Sequence, residues 1–201
     1  MRWTRTWLAL GDSYTVAEGV PLYDSYPYQT LRMLRRRGDD WSAPEIVART
    51  GWTTDELTAG IAAAQLMVRY DLVTLMIGVN NQYRGRAVDE YERQFSSLLQ
   101  MAIERAGYEK GHVIVLSIPD WGVTPFAVER DVQKIAAEID AFNAVNRAVS
   151  QREGVGWLDL TASTRAAKGD AKRFAKDGLH PSGLEYAIWA EALAAHVEGI
   201  R

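Results

Sequence analysis

The segment TWLALGDSYT at residues 6–15 is a short apolar run that ends abruptly in Gly11-Asp12-Ser13. The run predicts a buried β-strand, and Gly11 is the residue type that lets a backbone turn sharply where it leaves a sheet. Ser13 would then lie at the carboxyl end of that strand, where open α/β sheets bind their ligands. A serine at this place becomes a nucleophile if a neighbouring base removes its proton.

Candidates for that base are few, because the chain has only three histidines. His112 opens an apolar run and is typical of a strand entry, and His196 falls in a C-terminal helical pattern. His180 lies in a loop rich in turn-forming residues, three positions after Asp177. One turn would bring that carboxylate onto an imidazole nitrogen. Ser13, His180 and Asp177 are therefore a candidate nucleophile, base and orienting group.

Four short blocks of sequence occur along the chain in this order: Gly11-Asp12-Ser13-Tyr14-Thr15, Arg49-Thr50-Gly51-Trp52-Thr53, Gly78-Val79-Asn80-Asn81 and Asp177-x-x-His180-Pro181. They resemble the four blocks of the SGNH, or GDSL-like, esterases and lipases, in the family's order. The resemblance implies a Ser-His-Asp triad and an acyl-enzyme intermediate. It also implies an oxyanion hole formed by the amides of Ser13 and Gly51 and the side-chain amide of Asn80.

Two positions depart from the family pattern. The third block commonly reads Gly-x-Asn-Asp, whereas its last residue here is Asn81, which we expect to support the loop rather than contact substrate. The glycine often found two residues after the threonine of the first block is Ala17, and Gly19 comes later. We therefore expect a different shape for the loop after Ser13. We expect Asp12 to hold the turn through hydrogen bonds to local backbone.

Strand and helix patterns alternate along the chain. Besides the first strand, short apolar runs predict strands at residues 45–48, 72–77, 113–118 and 155–160. Helical periodicity predicts helices at residues 26–37, 54–69, 88–105, 132–151 and 184–198, two of them preceded by capping-box patterns, Thr53-x-x-Glu56 and Ser182-x-x-Glu185.

This alternation predicts an α/β fold, a three-layer α/β/α sandwich around a parallel sheet. With no linker or repeat in the sequence, residues 1–201 are expected to form a single catalytic domain. The family resemblance implies a five-stranded sheet in the flavodoxin-like order 2-1-3-4-5. Ser13, Gly51 and Asn80 each follow a predicted strand, and such loops gather at one edge of a parallel sheet. We therefore expect them to share one site.

Composition excludes several classes of function. There is no cysteine, hence no thiol nucleophile and no cysteine-based metal site, and the formal net charge is only −3. No cluster of basic and aromatic residues indicates a nucleic-acid partner, and no stretch approaches the ~20 apolar residues of a membrane span. The apolar segment after Met1 is too short for a signal peptide, so we expect a cytoplasmic protein. The oligomeric state stays open.

Competing chemistries fit the motifs less well. A haloacid-dehalogenase-type phosphatase needs a second aspartate where Tyr14 stands, and an α/β-hydrolase elbow needs glycine where Thr15 stands. Neither a dinucleotide-binding nor a Walker motif is present, so we expect no cofactor. A metal site from Asp12, Asp177 and His180 is conceivable. We expect no metal, because a triad also accounts for the glycine and asparagine blocks.

Several aromatic residues lie in or beside the site loops, and four are predicted to contact substrate: Tyr14, Trp52, Tyr83 and Trp121. Aromatic rings suit apolar acyl or aryl groups, but they also stack on sugars. The expected function is hydrolysis of small-molecule esters with short or medium acyl groups. The alternatives are a carbohydrate O-deacetylase, a lysophospholipase or a thioesterase, and, more remotely, a non-catalytic binding module.

Overall fold

A parallel sheet of five strands forms the centre of the protein in a computed structural model, which describes residues 4–199. The strands are β1 (Trp7–Gly11), β2 (Glu45–Ala48), β3 (Leu72–Met76), β4 (Val113–Leu116) and β5 (Gly156–Leu158). Their order is β2-β1-β3-β4-β5, and every neighbouring pair is parallel, which confirms the predicted sheet. Because β1 lies between β2 and β3, the chain leaves it at Gly11 beside Ala48 and Met76.

Helices cover the two faces of the sheet. They are α1 (Ser13–Val16), α2 (Tyr26–Arg36), α3 (Thr54–Ala63), α4 (Val79–Tyr83), α5 (Val88–Arg105), α6 (Val132–Glu153), α7 (Thr161–Ala166) and α8 (Gly183–Val197). Helix α2 packs on α8, whereas α5 contacts both α3 and α6. These groups make the outer layers of the predicted α/β/α sandwich. Within residues 4–199, no helix is both long enough and apolar enough to cross a membrane.

Of the predicted helices, residues 54–69 differ most from the structure, because α3 ends at Ala63. The backbone of Ala64 is extended, and the Met67 N–H donates to the Tyr70 hydroxyl at 3.0 Å instead of to a helical carbonyl. Helices α1, α4 and α7 were not predicted, since their four to six residues are too few to show a helical period.

Three strands are shorter than predicted, because apolar residues beyond them are buried without joining the sheet. The carbonyl of Ile77 accepts a hydrogen bond from the Tyr91 hydroxyl at 3.0 Å, and the Ile118 N–H donates to the Asn143 side chain at 2.7 Å. Just past β3 and β4, side chains from α5 and α6 thus satisfy the backbone hydrogen-bonding groups that no neighbouring strand pairs with. Both strands therefore end in loops at the same edge of the sheet.

One of the two predicted capping boxes is complete. At the start of α3, the Glu56 carboxylate accepts the Thr53 N–H at 2.8 Å. At the start of α8, the Ser182 hydroxyl accepts the Glu185 N–H at 3.4 Å, but the Glu185 carboxylate does not accept a hydrogen bond from the Ser182 N–H. This part of the second box was predicted wrongly.

The Glu185 carboxylate is fully buried and forms an ion pair with Arg173. It also accepts hydrogen bonds from the Ser163 hydroxyl at 2.7 Å and the Trp189 indole at 2.8 Å. A buried carboxylate is stable only when it is paired and hydrogen-bonded, and here these partners satisfy it. The ion pair ties the base of the loop that carries His180 to α8.

Candidate active site

Ser13 is the first residue of α1, directly after β1. A β-carbon on Gly11 would lie 2.7 Å from the Met76 carbonyl oxygen, so only glycine fits beside β3 at this turn. The carboxylate of Asp12 caps α1 and accepts the Tyr14 N–H at 3.1 Å. These contacts hold Ser13 at the carboxyl edge of the sheet.

Asp12 itself is buried beneath the turn. Desolvation raises the pKa of its carboxyl to about 7, against the opposing effect of the hydrogen bond from Tyr14. The hydrogen bond that Asp12 accepts from the Tyr14 N–H holds the backbone of the turn, as expected from the sequence.

The loop after Ser13 reaches the turn that carries His180. Ala17, at the position where the family often has glycine, adopts the left-handed conformation with φ 61° and ψ 54° and ends α1 there. Gly19 follows with φ 83°, and a β-carbon on it would lie 3.2 Å from Asp177 Oδ2. The loop therefore packs closely behind Asp177.

His180 and Asp177 form a direct hydrogen bond, with 2.6 Å between His180 Nδ1 and Asp177 Oδ2. The other carboxylate oxygen, Oδ1, accepts the N–H groups of Leu179 at 2.9 Å and His180 at 3.0 Å. Partial burial alone would raise the pKa of Asp177, but the hydrogen bonds from the ring and the two amides outweigh it and lower that pKa. The carboxylate is thus stabilised in its charged form while it holds the imidazole.

Backbone hydrogen bonds close the loop around this pair. The Ala175 N–H donates to the His180 carbonyl at 2.8 Å, and the Ser182 N–H donates to the Arg173 carbonyl at 3.0 Å. The edge of the Tyr14 ring meets the imidazole of His180, with 5.8 Å between the ring centroids. The imidazole is therefore fixed by its own loop and by the residue after Ser13.

Asn80 and Gly51, the two further residues implied by the family resemblance, lie in adjacent loops. The Asn80 side-chain amide donates to the Trp52 carbonyl at 2.9 Å, and Arg84 Nη2 donates to the Gly51 carbonyl at 2.6 Å. Gly51 has φ 85°, a conformation that favours glycine. Asn80 in α4 and Arg84 at the end of that helix therefore hold the backbone of the second sequence block, residues 49–53, against the third, residues 78–81.

Asn81 is fully buried behind this contact. Its side-chain oxygen accepts the Thr54 N–H at 3.1 Å, and its amide donates to the Thr54 hydroxyl at 2.7 Å. The Thr54 hydroxyl in turn bonds to Gln94 of α5. Asn81 thus joins α4 to the start of α3, which agrees with the supporting role expected for it.

A pocket of about 200 Å³ brings most of the predicted site residues together. It is lined by Ser13, Tyr14, Val79, Asn80, Tyr83, Trp121, Phe126, Leu179 and His180. Asp177 contacts His180, and Gly51 lies in the neighbouring loop without lining the pocket. Val79 and Leu179 were missed, although each stands next to a block residue, and Phe126 was not among the four aromatic residues predicted to contact substrate. For Val79 and Leu179, adjacency to Asn80 and His180 was the available signal.

Trp52 is not brought to the pocket. It packs on α3, where Gly60 leaves room for its ring, and a β-carbon on Gly60 would lie within 2.3 Å of that ring. Trp52 is partly buried against the hydrophobic core. Packing therefore accounts for the aromatic residue at this position of the second block, and contact with a ligand is not needed to explain it.

Hydrogen bonds hold Trp121 in the pocket wall. Its indole N–H donates to Gln82 Oε1 at 2.8 Å, and Gln82 Nε2 donates to Glu138 at 2.7 Å. The Tyr83 ring meets Trp121 edge-on at 5.4 Å between centroids. The Phe126 ring is also near Trp121, with 6.2 Å between centroids. The wall therefore contains three aromatic rings, and the ring that is paired with both others is fixed by hydrogen bonds.

Taken together, the pocket offers a hydroxyl, an imidazole paired to a carboxylate, and amide donors at the end of a parallel sheet. This arrangement suits nucleophilic catalysis with a general base. Among residues 4–199, no group of three or more His, Asp or Glu side chains is placed to hold a metal ion.

Comparisons with known proteins give the same fold and identify the family. The chain resembles the solved structure of TesA, with 21% identity, a TM-score of 0.78 and coverage of 98% of this chain and 100% of that one. The acetylxylan esterase Axe2 from Geobacillus stearothermophilus has 20% identity and a TM-score of 0.77, with 98% and 95% covered. The lipase/acylhydrolase from Enterococcus faecalis has 22% identity and a TM-score of 0.74, with 97% and 96% covered.

A search of curated proteins found no match. The sequence model of the GDSL-like Lipase/Acylhydrolase family, however, matches residues 9–188, which include all four sequence blocks. The chain therefore belongs to the GDSL-like lipase/acylhydrolase family and is a hydrolase.

Proposed function

We propose that this protein is a serine esterase that hydrolyses carboxylic esters through Ser13, His180 and Asp177. One observation carries the proposal. The imidazole that is hydrogen-bonded to Asp177 at 2.6 Å lines the same pocket as the hydroxyl of Ser13. Because Nδ1 is engaged by the carboxylate, Nε2 is the nitrogen left to take a proton from the serine.

The reaction proceeds in two steps. The Ser13 oxygen attacks the ester carbonyl carbon while its proton passes to Nε2 of His180. The bond from that carbon to the alcohol oxygen then breaks, and the alcohol leaves with the proton from His180. Water attacks the acyl group on Ser13 with His180 again as base, which releases the carboxylic acid and restores the serine.

In this mechanism two donors that line the pocket, the amide of Ser13 and the side-chain amide of Asn80, stabilise negative charge on the carbonyl oxygen, and the Gly51 amide joins them from the adjoining loop. Asn80 uses one amide hydrogen on the Trp52 carbonyl and retains a second for substrate. Arg84 binds the Gly51 carbonyl, and Glu18 binds the Thr50 hydroxyl on the other side of that glycine. Donors held in this way need no reorganisation as the charge develops.

The size of the pocket favours short acyl groups within the proposed range. At about 200 Å³ it has the volume of about seven waters of the bulk liquid. An ester group and an acyl chain of a few carbon atoms fill that space. A lysophospholipase or a long-chain thioesterase would have to place the rest of the acyl chain outside this pocket. A carbohydrate O-deacetylase is a second candidate because acetyl is the smallest such acyl group and because the similar structure Axe2 is an acetylxylan esterase.

The test is hydrolysis of p-nitrophenyl esters from acetate to decanoate by the wild type and by Ser13→Ala. We expect kcat/KM to be highest for acetate to butyrate, to fall with longer chains, and to vanish in Ser13→Ala. The melting temperature of that variant should stay within a few degrees of the wild type, since it loses one hydroxyl. Wild-type protein that hydrolyses none of these esters would instead support a non-catalytic binding module.

A further inference from the structure

A second cleft, of about 450 Å³, adjoins the catalytic pocket. Tyr83 and Trp121 line both spaces, so these two rings separate the smaller pocket at Ser13 from the larger cleft beyond. A substrate whose acyl group occupies the smaller pocket can therefore extend past the rings into the larger one. The alcohol part of an ester is the part that has to lie outside the acyl pocket.

Charged side chains of both signs line the cleft. Arg130 and Lys134 are balanced by Asp131 and Glu138, so their formal charges sum to zero. Lys134 and Glu138 are 3.8 Å apart on consecutive turns of α6. A cleft without net charge does not select an anion or a cation. It offers instead donors and acceptors in close alternation, which suits a neutral ligand with many hydroxyl groups.

The separating rings add an apolar platform. Tyr83 is 52% exposed, and its ring packs edge-on against Trp121. Trp121 itself is buried and is fixed through Gln82 to Glu138, a residue of the cleft. An exposed ring that packs on a fixed one, beside polar side chains, matches the two surfaces of a pyranose, with C–H groups on its faces and hydroxyls at its edge.

We propose that this cleft binds the alcohol part of the ester, and that this part is a neutral polyhydroxylated group such as a pyranose ring. The inference rests on the proposed function and extends it to the substrate class. Hydrolysis consumes one water and yields a short carboxylic acid, from the acyl group on Ser13, and the free sugar hydroxyl.

The test compares two secondary acetates of similar shape, a mono-O-acetylated methyl xylopyranoside and cyclohexyl acetate, with p-nitrophenyl acetate as a reference. We expect kcat/KM to be at least about tenfold higher for the sugar ester, mainly through KM, since each additional hydrogen bond contributes up to about tenfold. Equal values, a preference for cyclohexyl acetate, or cleavage of p-nitrophenyl acetate alone would overturn the inference and leave the esterase proposal standing. If none of the three esters is cleaved, the esterase proposal is overturned, and the inference with it.

Variants locate the preference in the cleft. Lys134→Ala removes a cation at an exposed helical position of α6, and Arg93→Ala does the same on α5, outside the cleft. We expect Lys134→Ala and Tyr83→Leu to reduce the sugar-to-cyclohexyl ratio by about threefold to tenfold, whereas Arg93→Ala keeps the wild-type ratio. A ratio that is unchanged in both cleft variants contradicts the assignment, as does an equal loss in Arg93→Ala.

Discussion

His180 Nδ1 and Asp177 Oδ2 lie 2.6 Å apart inside a turn in which the same carboxylate also accepts two backbone N–H groups. The orienting group and the base thus share one short loop, and the base needs no partner from a distant element to fix its ring. The proposed mechanism depends on this pair, which also gives the first prediction.

Asp177→Asn should lower kcat for p-nitrophenyl acetate by up to about 10⁴-fold. The asparagine oxygen can keep the hydrogen bonds from Leu179 and His180, so the turn should persist. Its amide nitrogen, however, presents hydrogen atoms to Nδ1 and favours the wrong tautomer. Steady-state kinetics together with a thermal melt measures the effect. A variant with the wild-type rate would show that Asp177 is a turn residue and that the enzyme uses a Ser-His dyad.

Arg84 should act through Gly51. Arg84→Ala removes the 2.6 Å hydrogen bond to the Gly51 carbonyl and should reduce kcat by roughly tenfold with little change in KM. Asn80→Ala, which removes a proposed oxyanion donor itself, should cost about 10²-fold to 10³-fold in kcat. Steady-state kinetics of both variants with one short ester will show whether kcat falls more in Asn80→Ala than in Arg84→Ala. If KM rises instead while kcat holds, Arg84 binds substrate and does not position Gly51.

Asn81→Asp restores the residue that is common in the family, yet it should destabilise this protein. The Asn81 amide donates to the Thr54 hydroxyl, which bonds onward to Gln94. A buried carboxylate cannot donate, so this chain of hydrogen bonds would be broken. We expect the free energy of unfolding to fall by about 1–3 kcal/mol at pH 7.5. Urea unfolding measures the change, and unchanged or higher stability would show that Thr54 and Gln94 adapt to the acid.

Stability should depend on pH through Asp12. Burial raises the pKa of this carboxyl from 3.8 to about 7 in the folded protein, so between these values the unfolded chain loses the proton and the folded chain keeps it. The contribution of Asp12 to stability is therefore full below about pH 4. It declines as the pH rises towards 7, by up to about 4 kcal/mol.

Asp12→Asn does not titrate, so the comparison with wild type isolates this group. The free energy of unfolding of the variant minus that of the wild type should be more positive at pH 8 than at pH 4.5. Denaturant titrations at the two pH values measure it. A difference that is the same at both would mean that the carboxyl of Asp12 does not stay protonated in the fold.

The sequence predicted the sheet and the residues that follow its strands because both depend on local patterns. Buried strands produce continuous apolar runs, and the carboxyl ends of parallel strands share one edge, so Ser13 and Asn80 were expected to meet. Trp52 shows the limit of this reasoning. Its position in the second block is visible in the sequence, but the direction of its ring depends on Gly60, which leaves space on α3.

Long-range polar partners were equally hidden. Glu185 stands at the third position of a capping box, yet its carboxylate turns inward to Arg173, Ser163 and Trp189. Beyond the end of α3, the Tyr70 hydroxyl that accepts the Met67 N–H is itself bonded to Glu45 of β2, which is distant in sequence. Such partners are determined by tertiary packing, and no periodicity in the sequence indicates them.

In the proposed mechanism, Ser13 carries the acyl group and His180 acts as its base. Intact-mass spectrometry after treatment with a fluorophosphonate, followed by peptide mapping, tests both roles. We expect one adduct per chain, located on Ser13, which is absent in Ser13→Ala and forms much more slowly in His180→Ala. An adduct on another residue, or none on the folded wild-type protein, would contradict this mechanism.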